Sequence, residues 1–126
     1  MMTPRVISVG PDAKLGEISR RLAESGLGGL PVVDDERALI GFVSEIDVMR
    51  ALLDGGGFDL EARALMTTPA VTVDEFAPTE DVMRILREQA THYLPVTRAG
   101  QLVGVITPSD VVRYLVRAYG LAPLIG

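Results

Sequence analysis

Cysteine is absent from the 126 residues, so disulfides and thiolate metal centres are both excluded. The single histidine, His92, cannot assemble a histidine-cluster metal site on its own. Tryptophan is missing too, and aromatic residues make up 5% of the chain, which leaves few platforms for stacking the bases of a single strand. No apolar run approaches the ~18 residues needed to span a bilayer. The opening MMTPRVISVGPDAK lacks the charged-then-apolar layout of a secretory leader. A soluble, cytoplasmic chain without a membrane partner is the expectation. Positive charge is also in short supply, with 12 Lys and Arg against 17 Asp and Glu for a net charge of −5. A negative chain opposes association with polyanions, because phosphate neutralisation supplies most non-specific affinity. Nucleic acid is therefore not expected as a partner. A single nucleotide is not excluded, since a few local arginines suffice for one phosphate group.

What the chain does have is repetition. An apolar fraction of 48% argues for a folded globule, and the length fits one domain. Residues 2–9, MTPRVISV, align with residues 66–73, MTTPAVTV, and LPVV at 30–33 aligns with LPVT at 94–97. At this offset Met2, Thr3, Val9, Ala13, Arg20, Leu22, Glu24, Leu30, Pro31 and Val32 all recur identically. One residue is then lost between DDERALI and RAGQLV, after which Gly41, Asp47, Val48, Arg50 and Leu52 match Gly104, Asp110, Val111, Arg113 and Leu115. An indel in a charged, glycine-containing turn is what two copies of one fold tolerate.

Each copy reads as strand, helix, strand, strand, helix. VISV (6–9) and AVTV (70–73) are short β-branched runs. Leu15, Ile18, Leu22 and Val82, Ile85, Leu86 have helical spacing. LPVVD and LPVTR are strands that turn into LIGFVS and LVGVIT, and a second helix starts at the hydroxyl residue ending each of these runs. The expected organisation is a first repeat over 2–54, a Gly-rich linker over 55–65, a second repeat over 66–119 and a tail over 120–126. A three-stranded unit of this size has a sheet face to cover, and two copies packed together cover it. The fold expected is therefore α+β, with two pseudo-symmetric β-α-β-β-α copies.

The repeated GFVSEIDVMR (41–50) and GVITPSDVVR (104–113) carry Ser44 with Asp47 and Thr107 with Asp110. Two readings of this spacing stand side by side. In the first, the hydroxyl caps a helix and the acid sits at its positive end. In the second, a hydroxyl and free N–H groups at a helix start meet a phosphate, while the carboxylate accepts both hydrogen bonds of a ribose diol. Hydroxyl plus acid then describes a nucleotide held without catalysis. Arg50 and Arg113, three positions after each acid, either reach a phosphate or remain solvated.

The duplicated h-P-V … G-h-h-[S/T]-x-x-D-h pattern resembles the cystathionine β-synthase (CBS) domain, here as a tandem pair spanning roughly 2–54 and 66–119. The resemblance implies a regulatory module that binds adenine nucleosides or nucleotides in two clefts between the copies. It implies that Asp47 works with Ser44, Ala70, His92 and Tyr93, and Asp110 with Thr107, Thr3, Val6, Gly28 and Gly29. His92 and Tyr93 stand where the first copy has Gly28 and Gly29, so the clefts are expected to differ. His92 is either a phosphate-binding cation or structural. AMP, ADP and ATP are the candidate ligands, with S-adenosylmethionine or a dinucleotide behind them; no required cofactor and no metal are expected. A homodimer through the helices at 45–53 and 108–117 is expected, and regulation of an enzyme or transporter in trans is compatible. A ligand-free dimerisation module is the competing function. Catalysis is not expected, because the chain lacks a hydroxyl–histidine–acid set in recognisable context.

Overall fold

The computed structural model describes residues 7–89 and 93–120. In the first repeat, helix α1 (Leu15–Ser25) buries Leu15, Ile18 and Leu22 along one face, as their spacing predicts. It stops at Gly26, whose φ of 70° lets its N–H reach the Leu22 carbonyl at 3.2 Å. Strand β1 (Gly29–Val33) is buried along its whole length and pairs antiparallel with β2 (Leu39–Ser44). Asp34 shapes the turn between them, its Oδ1 accepting from the Glu36 and Ala38 N–H groups at 2.9 Å each. Helix α2 (Glu45–Leu53) follows β2 directly. The second repeat holds β3 (Val73–Asp74), helix α4 (Thr79–Gln89), β4 (Leu94–Arg98), β5 (Gln101–Ile106) and helix α5 (Pro108–Ala118). A short helix, α3 (Ala62–Leu65), stands between α2 and β3.

β3, β4 and β5 form one sheet in that order, with β3 parallel to β4 and β5 antiparallel to it. In the first repeat the counterpart of β3 is a single parallel bridge between Val9 and Val32. It is closed by Val9 N–H to the Pro31 carbonyl at 3.0 Å and Val33 N–H to the Val9 carbonyl at 2.9 Å. Among the described residues, pairing in the expected strands VISV and AVTV is therefore confined to Val9 and to Val73. Successive inward positions of a strand are two residues apart. Val9 and Val73 are each 5% exposed, whereas Ile7 and Val71, two residues earlier, are 40% and 39% exposed. Pairing ends where the inward side chain has no core left to cover.

The two cores share a set of corresponding positions. Val9, Ile18, Leu30, Val32 and Val43 lie in the first cluster where Val73, Val82, Leu94, Val96 and Ile106 lie in the second. The repeat visible in the sequence is thus a repeat of packing. The segment 55–65 does more than link. Gly56 N–H closes α2 on the Ala51 carbonyl at 2.8 Å, and Leu15 N–H and Ala62 N–H bond to the carbonyls of Leu60 and Ala13 at 2.7 and 2.9 Å. Ala62 is fully buried in the first cluster, against which Leu60, Leu65 and Met66 also pack.

Two sets of backbone bonds tie the repeats together. The hairpin tips pair: Leu39 N–H donates to the Gly100 carbonyl and Leu102 N–H to the Arg37 carbonyl, both at 3.0 Å. Farther along β2, Phe42 and Thr67 exchange N–H···O bonds at 3.2 and 2.9 Å. Among the described residues no helix is long and apolar enough to cross a membrane.

Candidate functional site

β2 delivers Ser44 to the first turn of α2, and β5 delivers Thr107 to the first turn of α5. Each is an extended N-cap residue that closes a capping box. Asp47 N–H donates to Ser44 Oγ at 3.1 Å, and Ser44 N–H donates to Asp47 Oδ2 at 2.9 Å. The corresponding distances at Asp110 and Thr107 are 3.3 and 2.9 Å. The helix-cap reading of both pairs is therefore realised. It leaves room for the other reading at Asp47, because the capping box uses only Oδ2. Among the described residues Oδ1 of Asp47 accepts nothing, and the Ser44 hydroxyl has no acceptor for its own proton.

Asp110 is placed differently. It is 6% exposed, and Thr107 Oγ1–H adds a 3.0 Å bond to Oδ2. Arg113 Nη2 donates to Oδ1 at 2.6 Å. Arg50 occupies the same place relative to Asp47, yet among the described residues it makes no such ion pair. Arg50 is exposed, and Arg113 is engaged by the carboxylate beside it. This asymmetry has no signal in the sequence, since both acids are followed by arginine at the same spacing.

Gly28 and Gly29 stand beside Ser44 in their own repeat. Gly29 is the β-sheet partner of Ser44, and the Gly28 carbonyl accepts from Glu45 N–H at 3.0 Å. Tyr93 comes across from the second repeat and lays its ring on Gly28, where an added Cβ would clash with Tyr93 Cε2. Tyr93 also directly precedes Leu94, the sheet partner of Ile106, which adjoins Thr107. The two hydroxyl–acid motifs therefore approach one seam, at which Gly28 and Tyr93 meet. Ala70 is placed at the other end of β2. With Leu39, Ile40, Thr97 and Gly100 it lines a cavity of about 220 Å³ between the repeats. Thr3, Val6 and His92 lie outside the described residues. Among the described residues no group of three or more His, Cys, Asp or Glu could hold a metal ion.

The Gly28–Tyr93 contact yields a direct test. Gly28→Ala forces the ring aside and is expected to destabilise the chain by about 1–2 kcal/mol, the ordinary cost of overpacking. Tyr93→Leu in the same chain should remove most of that cost, so a double-mutant cycle read by chemical denaturation should show clear coupling. Additive effects would mean that the ring yields freely.

The model of the CBS domain matches residues 1–54 and again 62–117. CBSX2 from Arabidopsis thaliana superposes with a TM-score of 0.83 at 30% identity, over 96% of this chain and 94% of that one. CBSX2 in complex with AMP gives a TM-score of 0.81 at 31% identity, over 94% of each chain. An uncharacterized protein of Methanocaldococcus jannaschii is 29% identical over 91% of this chain and 31% of its own length. An inosine-5′-monophosphate dehydrogenase of Korarchaeum cryptofilum is 33% identical over 84% of this chain and 21% of the enzyme. The chain spans about a third of the length of the first curated relatives it matches, 31%, 41% and 36%. Two matches in tandem, each containing one hydroxyl–acid helix start, establish that this chain belongs to the CBS domain family as a CBS pair.

Proposed function

We propose that the chain is a non-catalytic regulatory module that binds an adenine nucleotide or nucleoside between its repeats and reports that ligand to a partner. The observation that carries this reading is the Asp47 carboxylate. One oxygen holds the start of α2, and among the described residues the other is uncommitted beside a hydroxyl with a proton to donate. A ribose diol needs an acceptor of this kind, and the helix N-terminus favours phosphate nearby. The structure of CBSX2 with AMP, at 31% identity, supports the ligand class. AMP, ADP and ATP are the first candidates. Cellular energy or metabolite state is the signal they would convey, to a cytoplasmic enzyme or transporter. With no cysteine and one histidine in the chain, nucleophilic catalysis has little to work with.

Mass spectrometry of small molecules released from the purified, denatured chain should identify the ligand. Thermal melting with AMP, ADP, ATP and S-adenosylmethionine should then rank affinity. A ligand at a hundred times its Kd adds about 2.7 kcal/mol to the folded state, and on this reading AMP or a more phosphorylated relative gives the largest rise. If no adenine compound changes the melting temperature, nucleotide binding is disproved.

A second reading, dimerisation, is favoured by the outer faces of α2 and α5. Ile46, Met49 and Leu53 are 54%, 52% and 77% exposed, and Val112 is 59% exposed. Apolar faces of this kind mark association surfaces. Met49→Asp together with Val112→Asp is expected to shift a dimer to monomer in sedimentation velocity without lowering the far-UV helical signal. A parent chain that sediments as a monomer at all concentrations would rule the homodimer out. Both readings hold together if nucleotide binds the dimer.

A further inference from the structure

We infer that Arg113 is an intrachain competitor for the Asp110 cleft, so that the two clefts fill in order, Asp47 first. The inference rests on the nucleotide-binding reading above and assigns it a hierarchy. To accept a ribose diol, a carboxylate must present acceptor sites. Asp110 presents few. Oδ2 already takes Thr107 N–H at 2.9 Å and Thr107 Oγ1–H at 3.0 Å, and Oδ1 takes Arg113 Nη2 at 2.6 Å. Asp47 has the same capping box but, among the described residues, no arginine on it. The Arg113 side chain is 62% exposed and the Asp110 side chain 5% exposed. The guanidinium thus closes the outer side of a buried carboxylate from a position in which it can swing into solvent. A diol arriving at Asp110 must displace it; a diol arriving at Asp47 displaces nothing comparable. The displaced guanidinium ends one turn into α5, whose outer face carries Val112 and Leu115, so occupancy of the second cleft changes the charge pattern beside that face.

Adenosine is the probe, because it has the diol and no phosphate that a freed Arg113 could bind. Calorimetry on the full chain compares the parent, Asp47→Asn, and Asp47→Asn combined with Arg113→Gln or with Arg50→Gln. In the Asp47→Asn chain, where the Asp110 cleft dominates, Arg113→Gln is expected to tighten adenosine binding roughly fivefold, the most that an ion pair with one exposed partner usually supplies. Arg50→Gln should leave it unchanged. In the parent, titration should show a tighter and a weaker site. Two equal sites, or no tightening on Arg113→Gln while adenosine still binds, overturns the competition and leaves nucleotide binding standing. No adenosine binding to any of these chains, with AMP, ADP and ATP equally silent, overturns the nucleotide reading and this hierarchy with it.

Discussion

Asp47→Asn is expected to weaken adenine-nucleotide binding by roughly one to two orders of magnitude. The effect comes from the oxygen that the helix start does not use. Hydrogen bonds to a charged acceptor contribute about 1.5–3 kcal/mol, and neutral ones about half that. Removing the charge while keeping the shape therefore costs about 1–3 kcal/mol over the two bonds of a diol. The fold should hardly notice. The amide oxygen of Asn can still accept from Ser44 N–H, the bond that Asp47 Oδ2 makes at 2.9 Å, and the Ser44 hydroxyl still caps α2. Asp110→Asn is a less clean experiment, because Asp110 is buried, takes the Thr107 hydroxyl and carries the Arg113 ion pair. Its unliganded stability should fall as well. Calorimetry with AMP and with a 2′,3′-dideoxy analogue separates the sugar contact from everything else. The analogue should bind the parent weakly and lose little more in Asp47→Asn. Equal AMP affinity in the parent and in the Asp47→Asn, Asp110→Asn double variant would reduce both motifs to helix caps.

That both helix caps could be read from the sequence follows from local chemistry. A hydroxyl followed three residues later by an acid suits a helix start, and the structure shows that use twice. The repeat was equally legible, because matched strand residues such as Leu30 and Leu94, or Val32 and Val96, are buried in both copies. The remainder depends on partners far along the chain. Ala62 is buried only because 60–66 folds back along the start of α1, and a glycine run followed by mixed polarity does not announce that return. The lengths of the first strands were set by where the core ends beneath Ile7 and Val71. The different conduct of Arg50 and Arg113 has no local cause at all, since both sit three residues after an acid that caps a helix. The placement of Tyr93 on Gly28 needs the second repeat to arrive beside the first, and no pattern within either copy encodes it.

Leu30→Ala and Leu94→Ala are expected to lower the melting temperature by about the same amount, on the order of 10 °C. Both leucines are fully buried, both lie on the inner strand of their hairpin, and they face Val43 and Ile106 across it. Truncating such a residue removes about 2–5 kcal/mol, a large part of the ~5–15 kcal/mol that holds a domain together. What matters is the shape of the transition. The repeats share the Phe42–Thr67 bonds and the paired hairpin tips, and Phe42 and Thr67 belong to different copies. Unfolding either repeat breaks bonds that the other uses, so a single cooperative transition is expected in calorimetry for the parent and for each variant. A nucleotide held at the seam of Gly28 and Tyr93 touches both copies, and saturating AMP should then restore a similar part of the lost stability in either variant. Two separate transitions, with Leu30→Ala moving one and Leu94→Ala the other, would show that each repeat folds alone. AMP rescue confined to one of them would then locate the ligand within that repeat instead of between the two.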